Sequence, residues 1–157
     1  MHTQIRRADT GDLDTLAPLF DAYRRFYGQA ADLPRARAWL CERMRQHESV
    51  VLLAERDDTA AGFVQLYPMF SSVHTARLWI LNDLYVVEPA RRSGVARTLL
   101  DAAAQFARAD GAVRITLETG RDNAAARALY RAVGWHEDQS QWYGLDLLDP
   151  GDGGAAR

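Results

Sequence analysis

The sequence predicts one α/β domain in which a mixed, mostly antiparallel sheet of six or seven strands has helices on both faces. Its length of 157 residues is enough for a single hydrophobic core and short for two. Segments with helical apolar spacing alternate along the chain with segments that have strand-like patterns. Residues 77–118 have the pattern of a strand, a helix and a second strand, which is typical of a parallel crossover.

The first half of the chain is predicted to form an opening strand, two amphipathic helices and an antiparallel hairpin. Gly28 suits the end of the first helix, and Pro34 suits the start of the second. A turn-forming stretch separates the strands of the hairpin, and Pro68 is expected to end the second strand. The predicted ranges are 4–8 for the first strand, 13–28 and 34–46 for the helices, and 50–54 and 61–67 for the hairpin.

The second half is predicted to alternate strands with helices and then to end in a tail. A strand rich in β-branched and aromatic residues stops at Pro89, and the helix after it runs to Gly111. Residues 149–157 hold no core residue, so they are expected to form a flexible C-terminal tail after a domain of residues 1–148. The predicted ranges are 77–87, 113–118, 135–137 and 142–145 for strands, and 93–111 and 124–133 for helices.

Composition excludes several classes of function. A net charge of −2 gives no positive field that would attract nucleic acid or an anionic membrane, so small molecules or other proteins are the expected partners. The 19 basic side chains are all arginine, which removes chemistry that needs a lysine amine. The single cysteine, Cys41, cannot form an internal disulfide, and no histidine or cysteine cluster has metal-ligand spacing. The sequence shows no membrane span and no signal peptide, so a cytoplasmic protein is expected. No metal is expected, because the ligand spacing is lacking.

A turn that contains arginine and glycine connects a strand to a helix within residues 81–100. Backbone N–H groups and the positive end of the helix converge at such a turn, and a point of this kind can bind phosphate. Gly94 lets a ligand approach the backbone closely, while Arg91 and Arg92 can add charged contacts. Taken alone, an Arg-Arg turn before a helix is also typical of solvated surface.

Two motifs in this region make the sequence resemble the GNAT family of acetyl-coenzyme A dependent N-acetyltransferases. The first is an arginine, two residues, a glycine, one residue and a small residue at a strand-to-helix junction. The second is an asparagine, an alanine-rich helix, a tyrosine and a terminal glycine-aromatic pair. Both lie on the expected elements, and the resemblance spans about residues 78–135. The matching positions are Arg91, Gly94 and Ala96, and then Asn123, Ala126, Leu129, Tyr130, Gly134 and Trp135.

The resemblance implies acetyl-coenzyme A as co-substrate, with its pantetheine arm between splayed strands that contain Leu84 and Leu117. Backbone groups of Leu84 and Val86 are expected to bond the arm, and the Leu84 N–H to polarise the acetyl carbonyl. The pyrophosphate is expected on the arginine-glycine turn. The expected cofactor contacts are Leu84, Val86, Arg91, Arg92, Ser93, Gly94, Val95, Ala96, Asn123 and Tyr130.

Tyr130 matches the tyrosine that the family places beside the coenzyme sulfur as a general acid. A phenol with an ordinary pKa of ~10 is protonated at neutral pH and can protonate the leaving thiolate. The alternative is that Tyr130 only packs on the sheet, but Asn123 at the family's spacing favours the catalytic role. Asn123 itself is also an ordinary helix N-cap.

The general base is left open by the sequence. Residues 79–86, with Trp142 later in the chain, are similar to the diamine and polyamine acetyltransferase branch, in which an acid takes the place of Asn82. Asparagine cannot accept a proton. Asp83 is adjacent, but strand alternation turns it to the opposite face unless a bulge intervenes. The alternatives are Asp83 at such a bulge, Glu118 on the neighbouring strand, and a water held by Asn82 and backbone carbonyls. A further alternative is that the small deprotonated fraction of the amine reacts without a base.

The resemblance places the acceptor amine near the first helices and the loop after the hairpin, where aromatic faces can hold an alkyl chain. A primary amine of a small molecule is therefore expected, with diamines or polyamines as candidates. A peptide or protein amine is the runner-up, and a degenerate coenzyme A binding or sensing protein is the alternative outside the enzymes. The candidate pocket residues are Tyr23, Tyr27, Tyr67, Phe70, Ser71, Ser72 and His74, of which Tyr23 and Tyr27 are equally well explained as core.

The resemblance also implies a homodimer. Relatives use a late aromatic-rich strand at dimer contacts, and residues 142–145 match that description. This strand, with Trp142 and Tyr143, is expected to pack on a second copy or to exchange with it.

Overall fold

The computed structural model describes residues 2–148, which form one five-stranded sheet and four α-helices. The predicted tail of residues 149–157 lies outside the described residues. The strands are β1 (Gln4–Arg7), β2 (Val50–Arg56), β3 (Thr59–Ser71), β4 (Ala76–Val86) and β5 (Arg114–Thr116). The α-helices are α1 (Leu13–Phe26), α2 (Leu33–Arg45), α3 (Val95–Ala109) and α4 (Ala124–Ala132).

The strands lie side by side in chain order from β1 to β5. Neighbours from β1 to β4 pair antiparallel, whereas β5 pairs parallel to β4 because α3 connects them as a crossover. The predicted mixed, mostly antiparallel sheet is therefore confirmed.

Strand alternation sends buried side chains to two cores on opposite faces of the sheet. On one face, Leu52 and Leu66 pack with Leu99 of α3. On the other face, Leu53 and Phe63 pack with residues of α1 and α2. Helices therefore cover both faces, as the sequence predicts.

β4 and β5 part soon after their pairing begins. Their parallel pairing runs from Leu78 opposite Arg114 to Ile80 opposite Thr116, where β5 ends. β4 continues to Val86 and stays paired with β3 on its other edge. Within residues 2–148, the β5 side of this last part of β4 is an open backbone edge, as the implied splay requires.

A β-bulge interrupts β4 at Asn82. Leu66 pairs with Leu81, and the preceding Gln65 pairs with Asp83, so Asn82 is an extra residue that no position of β3 matches. The bulge reverses the alternation that follows it. Asp83 consequently lies opposite Gln65 and on the α1 and α2 side of the sheet, while Leu84 packs on the α3 side.

The prediction of six or seven strands is wrong for the described residues, which form five. Residues 135–137 and 142–145, predicted as closing strands, have no strand structure. Trp135 packs on the α3-side core, but Trp142 is 79% exposed and Tyr143 is 91% exposed. An alternating apolar pattern becomes a strand only beside a partner edge, and this segment has none within the described residues.

The second strand of the hairpin is also longer than predicted. β3 continues through Pro68 to Ser71, with Pro68 paired to Trp79 of β4. On its other edge, β3 pairs with β2 only up to Leu66. A proline, which has no N–H to donate, is tolerated where a strand has an open edge.

Candidate active site

The arginine-glycine turn forms one side of a cavity at the end of β4. Val86 of β4, most of the turn and Leu129 of α4 meet there, so residues separated by more than 40 positions in the sequence form one surface. Six residues predicted to contact the cofactor line this cavity. They are Val86, Arg91, Arg92, Gly94, Val95 and Ala96, and the further lining residues are Ala90, Arg97 and Leu129.

The backbone of the turn adopts unusual conformations. Arg92 has φ +60° and Gly94 has φ +88°, both in the left-handed region that non-glycine residues avoid. A Cβ atom placed on Gly94 would meet no atom within 4 Å, so steric conflict inside the protein does not require glycine here. The positive φ, together with the open cavity beside it, accounts for the glycine.

The first turn of α3 has no side-chain cap. Gly94 is its N-cap residue and has no side chain to accept a hydrogen bond from the following N–H groups. These donors and the positive end of a helix of 15 residues lie at the cavity. The arrangement is suited to an anion such as a phosphate group.

Arg91 connects the turn to the end of β4 through its side chain. Its Nε donates to the backbone oxygen of Val86 at 3.0 Å, and its guanidinium carbon lies 5.9 Å from the centre of the Tyr85 ring. One of the two predicted arginines is therefore partly engaged by the protein itself. Val86 is predicted to bond the pantetheine arm through its backbone, and its carbonyl already accepts this hydrogen bond.

Tyr130 lies on α4, near both sides of the sheet. It packs against the α3-side core, and its ring centre is 6.3 Å from that of Trp135. Burial raises the pKa of Tyr130 above its usual value, and Tyr27 at the end of α1 adds a smaller electrostatic contribution in the same direction. The phenol is therefore held in its protonated form at neutral pH.

Asn123 is the N-cap of the helix that carries Tyr130. Its side-chain oxygen accepts a hydrogen bond from the Ala126 N–H at 3.2 Å. The capping role that the sequence left open is therefore present.

The bulge brings Asp83 into a buried polar cluster. Asn82 Nδ2 donates to Asp83 Oδ1 at 2.9 Å, and Gln65 Nε2 donates to Asp83 Oδ2 at 2.5 Å. Tyr23 of α1 donates its hydroxyl to the Asn82 carbonyl at 3.1 Å. Asp83 is 2% exposed and Gln65 is fully buried. Two amide donors thus orient a carboxylate whose oxygens act only as acceptors when ionised.

Gln65 is a site residue that the sequence analysis missed. Its Oε1 atom is buried without a hydrogen-bond partner, while its amide nitrogen holds Asp83. The available signal was a polar residue inside an otherwise apolar strand segment, 61–67. Buried polar side chains need a specific partner, so such a residue points to a structural or functional contact.

The predicted acceptor residues other than Tyr67 separate into two groups. Tyr67 pairs with Ile80 of β4, and its hydroxyl accepts a hydrogen bond from Trp39 Nε1 at 3.2 Å. Tyr23 is 3% exposed and stacks edge-on with Tyr27 at 4.9 Å between ring centres, so both lie beside the Asn82 carbonyl that Tyr23 contacts. Ser71 pairs with Ala76 at the far end of the hairpin, about 20 Å along β4 from Asn82 at ~3.3 Å per residue. The structure does not bring that end of the hairpin to the cluster. The residues there are Phe70, Ser71, Ser72 and His74.

Glu118, the other carboxylate considered as a base, lies two residues beyond the end of β5 and is exposed. Within residues 2–148, no group of three or more His, Cys, Asp or Glu side chains could hold a metal ion. The helices of the same residues also include none with the length and apolar character needed to cross a bilayer.

Comparison with known proteins identifies the family. The model of the Acetyltransferase (GNAT) family matches residues 15–135. The chain belongs to the GNAT family. The uncharacterised N-acetyltransferase YhfO of Bacillus subtilis is 50% identical over 134 residues, which are 85% of this chain and 90% of that protein. The sequence and its relatives therefore make this chain a GNAT acetyltransferase.

Solved structures support the same fold. A crystal structure of a probable acetyltransferase has a TM-score of 0.90 and 46% identity, covering 94% of this chain and 99% of that chain. The aminoglycoside N-acetyltransferase AAC(6')-Iy in complex with coenzyme A has a TM-score of 0.79 and 19% identity. The match covers 94% of this chain and 96% of that chain. At that identity the second likeness shows the GNAT fold alone.

Proposed function

We propose that this GNAT acetyltransferase moves the acetyl group of acetyl-coenzyme A to a primary amine of a small molecule. The observation that carries the proposal is the open edge of β4. Beyond Ile80, β4 has no strand on its β5 side within residues 2–148, and its end, Val86, lines the same cavity as the arginine-glycine turn. An extended thioester arm can hydrogen-bond to this edge while its phosphates lie on the turn.

The turn is the proposed phosphate site. The N–H groups at the start of α3 supply neutral donors, and Arg92 supplies a charge beside the cavity. Crystallised with coenzyme A, AAC(6')-Iy shows that a protein of the same fold binds this molecule. Backbone groups of Leu84 and Val86 on the open edge are the proposed contacts of the arm, with the Leu84 N–H directed to the acetyl carbonyl.

In the proposed reaction, the amine nitrogen bonds to the acetyl carbon and the bond from that carbon to sulfur breaks. The amine loses a proton and the thiolate gains one, so the site needs an acceptor and a donor. Tyr130 is the proposed donor because it follows Leu129, which lines the cavity, on α4, and because its phenol is protonated at neutral pH.

Asp83 is the proposed proton acceptor. The bulge turns it toward the α1 side, where Tyr23 and Tyr27 line the approach to β4. Since Asp83 is only 2% exposed, we propose that a bound water passes the proton to it. Asn82 cannot accept the proton, and its proposed role is to orient the carboxylate through its amide.

The acceptor class follows from the same surroundings. A carboxylate and aromatic rings favour a cationic alkyl amine over a neutral or acidic group. Diamines and polyamines fit this description, and membership of their branch stays a prediction. The aminoglycoside N(6')-acetyltransferase of Acinetobacter genomosp. 13, a relative at 28% identity, is named for an amine on a small molecule.

A panel of amines assayed for release of coenzyme A thiol tests the proposal. The panel contains diamines, polyamines, an aminoglycoside and peptides with a free N-terminus. We expect turnover with a small primary amine. Turnover with the peptides alone would replace this proposal by the runner-up. Coenzyme binding without thiol release for any amine would instead indicate a sensing protein.

We propose further that the protein is a homodimer and works in the cytoplasm. The first proposal is supported by the exposed apolar segment after α4, in which Leu145 is 84% and Leu147 is 88% exposed. Among the described residues, β5 also has an unpaired edge. In a dimer, the apolar segment of one copy can cover this edge of the other copy. The second proposal is supported by the composition, with its free, half-buried Cys41.

A further inference from the structure

Arg56, at the end of β2, holds the arginine-glycine turn from outside the cavity. Its Nη1 donates to Ser93 Oγ and its Nη2 to the Ser93 carbonyl, both at 2.7 Å. Its Nε donates to Thr3 Oγ1, also at 2.7 Å. The guanidinium thus links the N-terminal segment, β2 and the turn, and Arg56 is not among the residues that line the cavity.

Ser93 connects Arg56 to the strained part of the turn. It lies between Arg92 and Gly94, both in the left-handed region. A non-glycine residue with positive φ is strained and persists only where its surroundings hold it. Ser93 Oγ also donates to the Ala90 carbonyl at 2.6 Å, so Arg56 contacts a side chain that bonds back across the turn. Fixing Ser93 fixes the backbone from which the first N–H groups of α3 project.

We propose that Arg56 is a positioning residue for coenzyme binding. It acts through Ser93 by keeping the N–H groups of the turn aimed at the phosphates, and it touches neither the coenzyme nor the amine. This inference rests on the proposed function, because it takes the turn as the phosphate site. Preorganised donors bind an anion more tightly than donors that must first be ordered, so the effect belongs to coenzyme affinity.

Arg6 on β1 is a matched control. Arg6 makes four side-chain hydrogen bonds, two to Asp12 and two to Glu55, and Glu55 precedes Arg56 in the sequence. None of these four bonds involves the arginine-glycine turn. Replacing either arginine by glutamine removes charge and several hydrogen bonds from the same end of the sheet. A loss of stability alone would therefore appear in both variants.

The experiment compares Arg56→Gln and Arg6→Gln by calorimetric titration with coenzyme A, by steady-state kinetics and by thermal unfolding. Arg56→Gln is expected to raise the Kd of coenzyme A and the KM of acetyl-coenzyme A by about 10-fold or more, with kcat within about twofold. Arg6→Gln is expected to lower Tm without changing Kd. Arg56→Lys, which keeps a charge but not the forked geometry, is expected to restore part of the affinity.

An unchanged Kd in Arg56→Gln, or an equal rise in both variants, would overturn the inference. If Arg56→Gln does not fold, Ser93→Ala tests the same link, because it removes one of the two contacts to Arg56. An unchanged Kd in Ser93→Ala would also overturn the inference.

Gly94→Val separates this inference from the proposed function. Normal binding by Gly94→Val would place the coenzyme elsewhere, whereas loss in Gly94→Val with no change in Arg56→Gln would reject only the role of Arg56.

Discussion

Tyr130 combines a helix position with an environment that suits an acid. Burial, with a smaller contribution from Tyr27, raises its pKa above the usual value. Its protonated fraction is therefore close to one throughout the neutral range, and loss of this proton affects the rate only above about pH 10. A packing tyrosine would be protonated as well, so the catalytic role has to be tested by removing the hydroxyl.

Tyr130→Phe is expected to lower kcat by roughly 10²-fold, the lower end of what general acid catalysis contributes. The ring remains, so packing against Trp135 and the KM of acetyl-coenzyme A should change little. Single-turnover kinetics, which isolate the chemical step, provide the measurement. A wild-type rate in that step would leave Tyr130 with a packing role alone.

Asp83 differs from an ordinary strand carboxylate because the bulge and two amides hold it. Asp83→Asn removes the proton acceptor with almost no change in volume, and we expect kcat/KM for the amine to fall by about 10²-fold or more. Stability should fall as well, by about 1–3 kcal/mol, because the new amide cannot accept from both Asn82 and Gln65.

The matched control for that variant is Glu118→Gln, which neutralises the exposed carboxylate after β5. Its rate with the same amine should stay within about twofold of wild type, as expected for a group outside the proton path. If Glu118→Gln loses the rate and Asp83→Asn keeps it, the base is Glu118, beyond the end of β5.

Among the elements, the junction of β4, turn and α3 has the most specialised geometry. Gly94 at the start of α3 and Gly111 just after its end both have positive φ, at +88° and +78°, with open space where a Cβ would lie. The two glycines thus have similar backbone conformations and differ in what lies beside them. Only Gly94 lines the cavity.

Gly94→Val and Gly111→Val should therefore destabilise the protein to a similar extent, since a β-branched side chain is strained at positive φ. Gly94→Val alone is expected to raise the Kd of coenzyme A, by about 10²-fold, because its side chain occupies the space proposed for the pyrophosphate. Thermal unfolding and calorimetric titration of both variants make the comparison. Equal affinities would show that the phosphates do not lie on this turn.

At the scale of the whole molecule, the described chain has one apolar segment without a partner. Trp142, Tyr143, Leu145 and Leu147 are each at least 79% exposed, which is unusual for a cluster of large apolar side chains on a monomer. All residues of α4 are at least partly exposed, although Leu129 and Tyr130 pack on the α3-side core. A second copy that covers both regions would complete the domain.

Light scattering at micromolar concentration is therefore expected to give the mass of a dimer. Replacing Trp142 and Leu145 together by serine should shift the protein toward monomer by removing apolar area from the contact. Val73→Ser is the control, because Val73 is 92% exposed but lies in the turn between β3 and β4. A wild-type protein that is monomeric at this concentration contradicts the proposal.

The sequence by itself determined the order of the elements, the α/β class and the position of the arginine-glycine turn. These depend on local properties: apolar period, glycine and proline positions, and motifs such as Arg91 to Ala96. Asn123 as a helix cap was also within reach, since capping involves residues three positions apart.

Only the tertiary structure decided which side of the sheet Asp83 faces. It also decided that Gln65 donates a hydrogen bond to Asp83. Both depend on the register between β3 and β4, where one extra residue reverses the alternation. The contact of Arg56 with Ser93 joins positions 37 residues apart, so no local pattern contains it. The prediction of closing strands was wrong for a related reason. Residues 142–145 have the pattern of a strand, but a strand also requires pairing with a neighbouring edge, and in the described chain these residues pair with none.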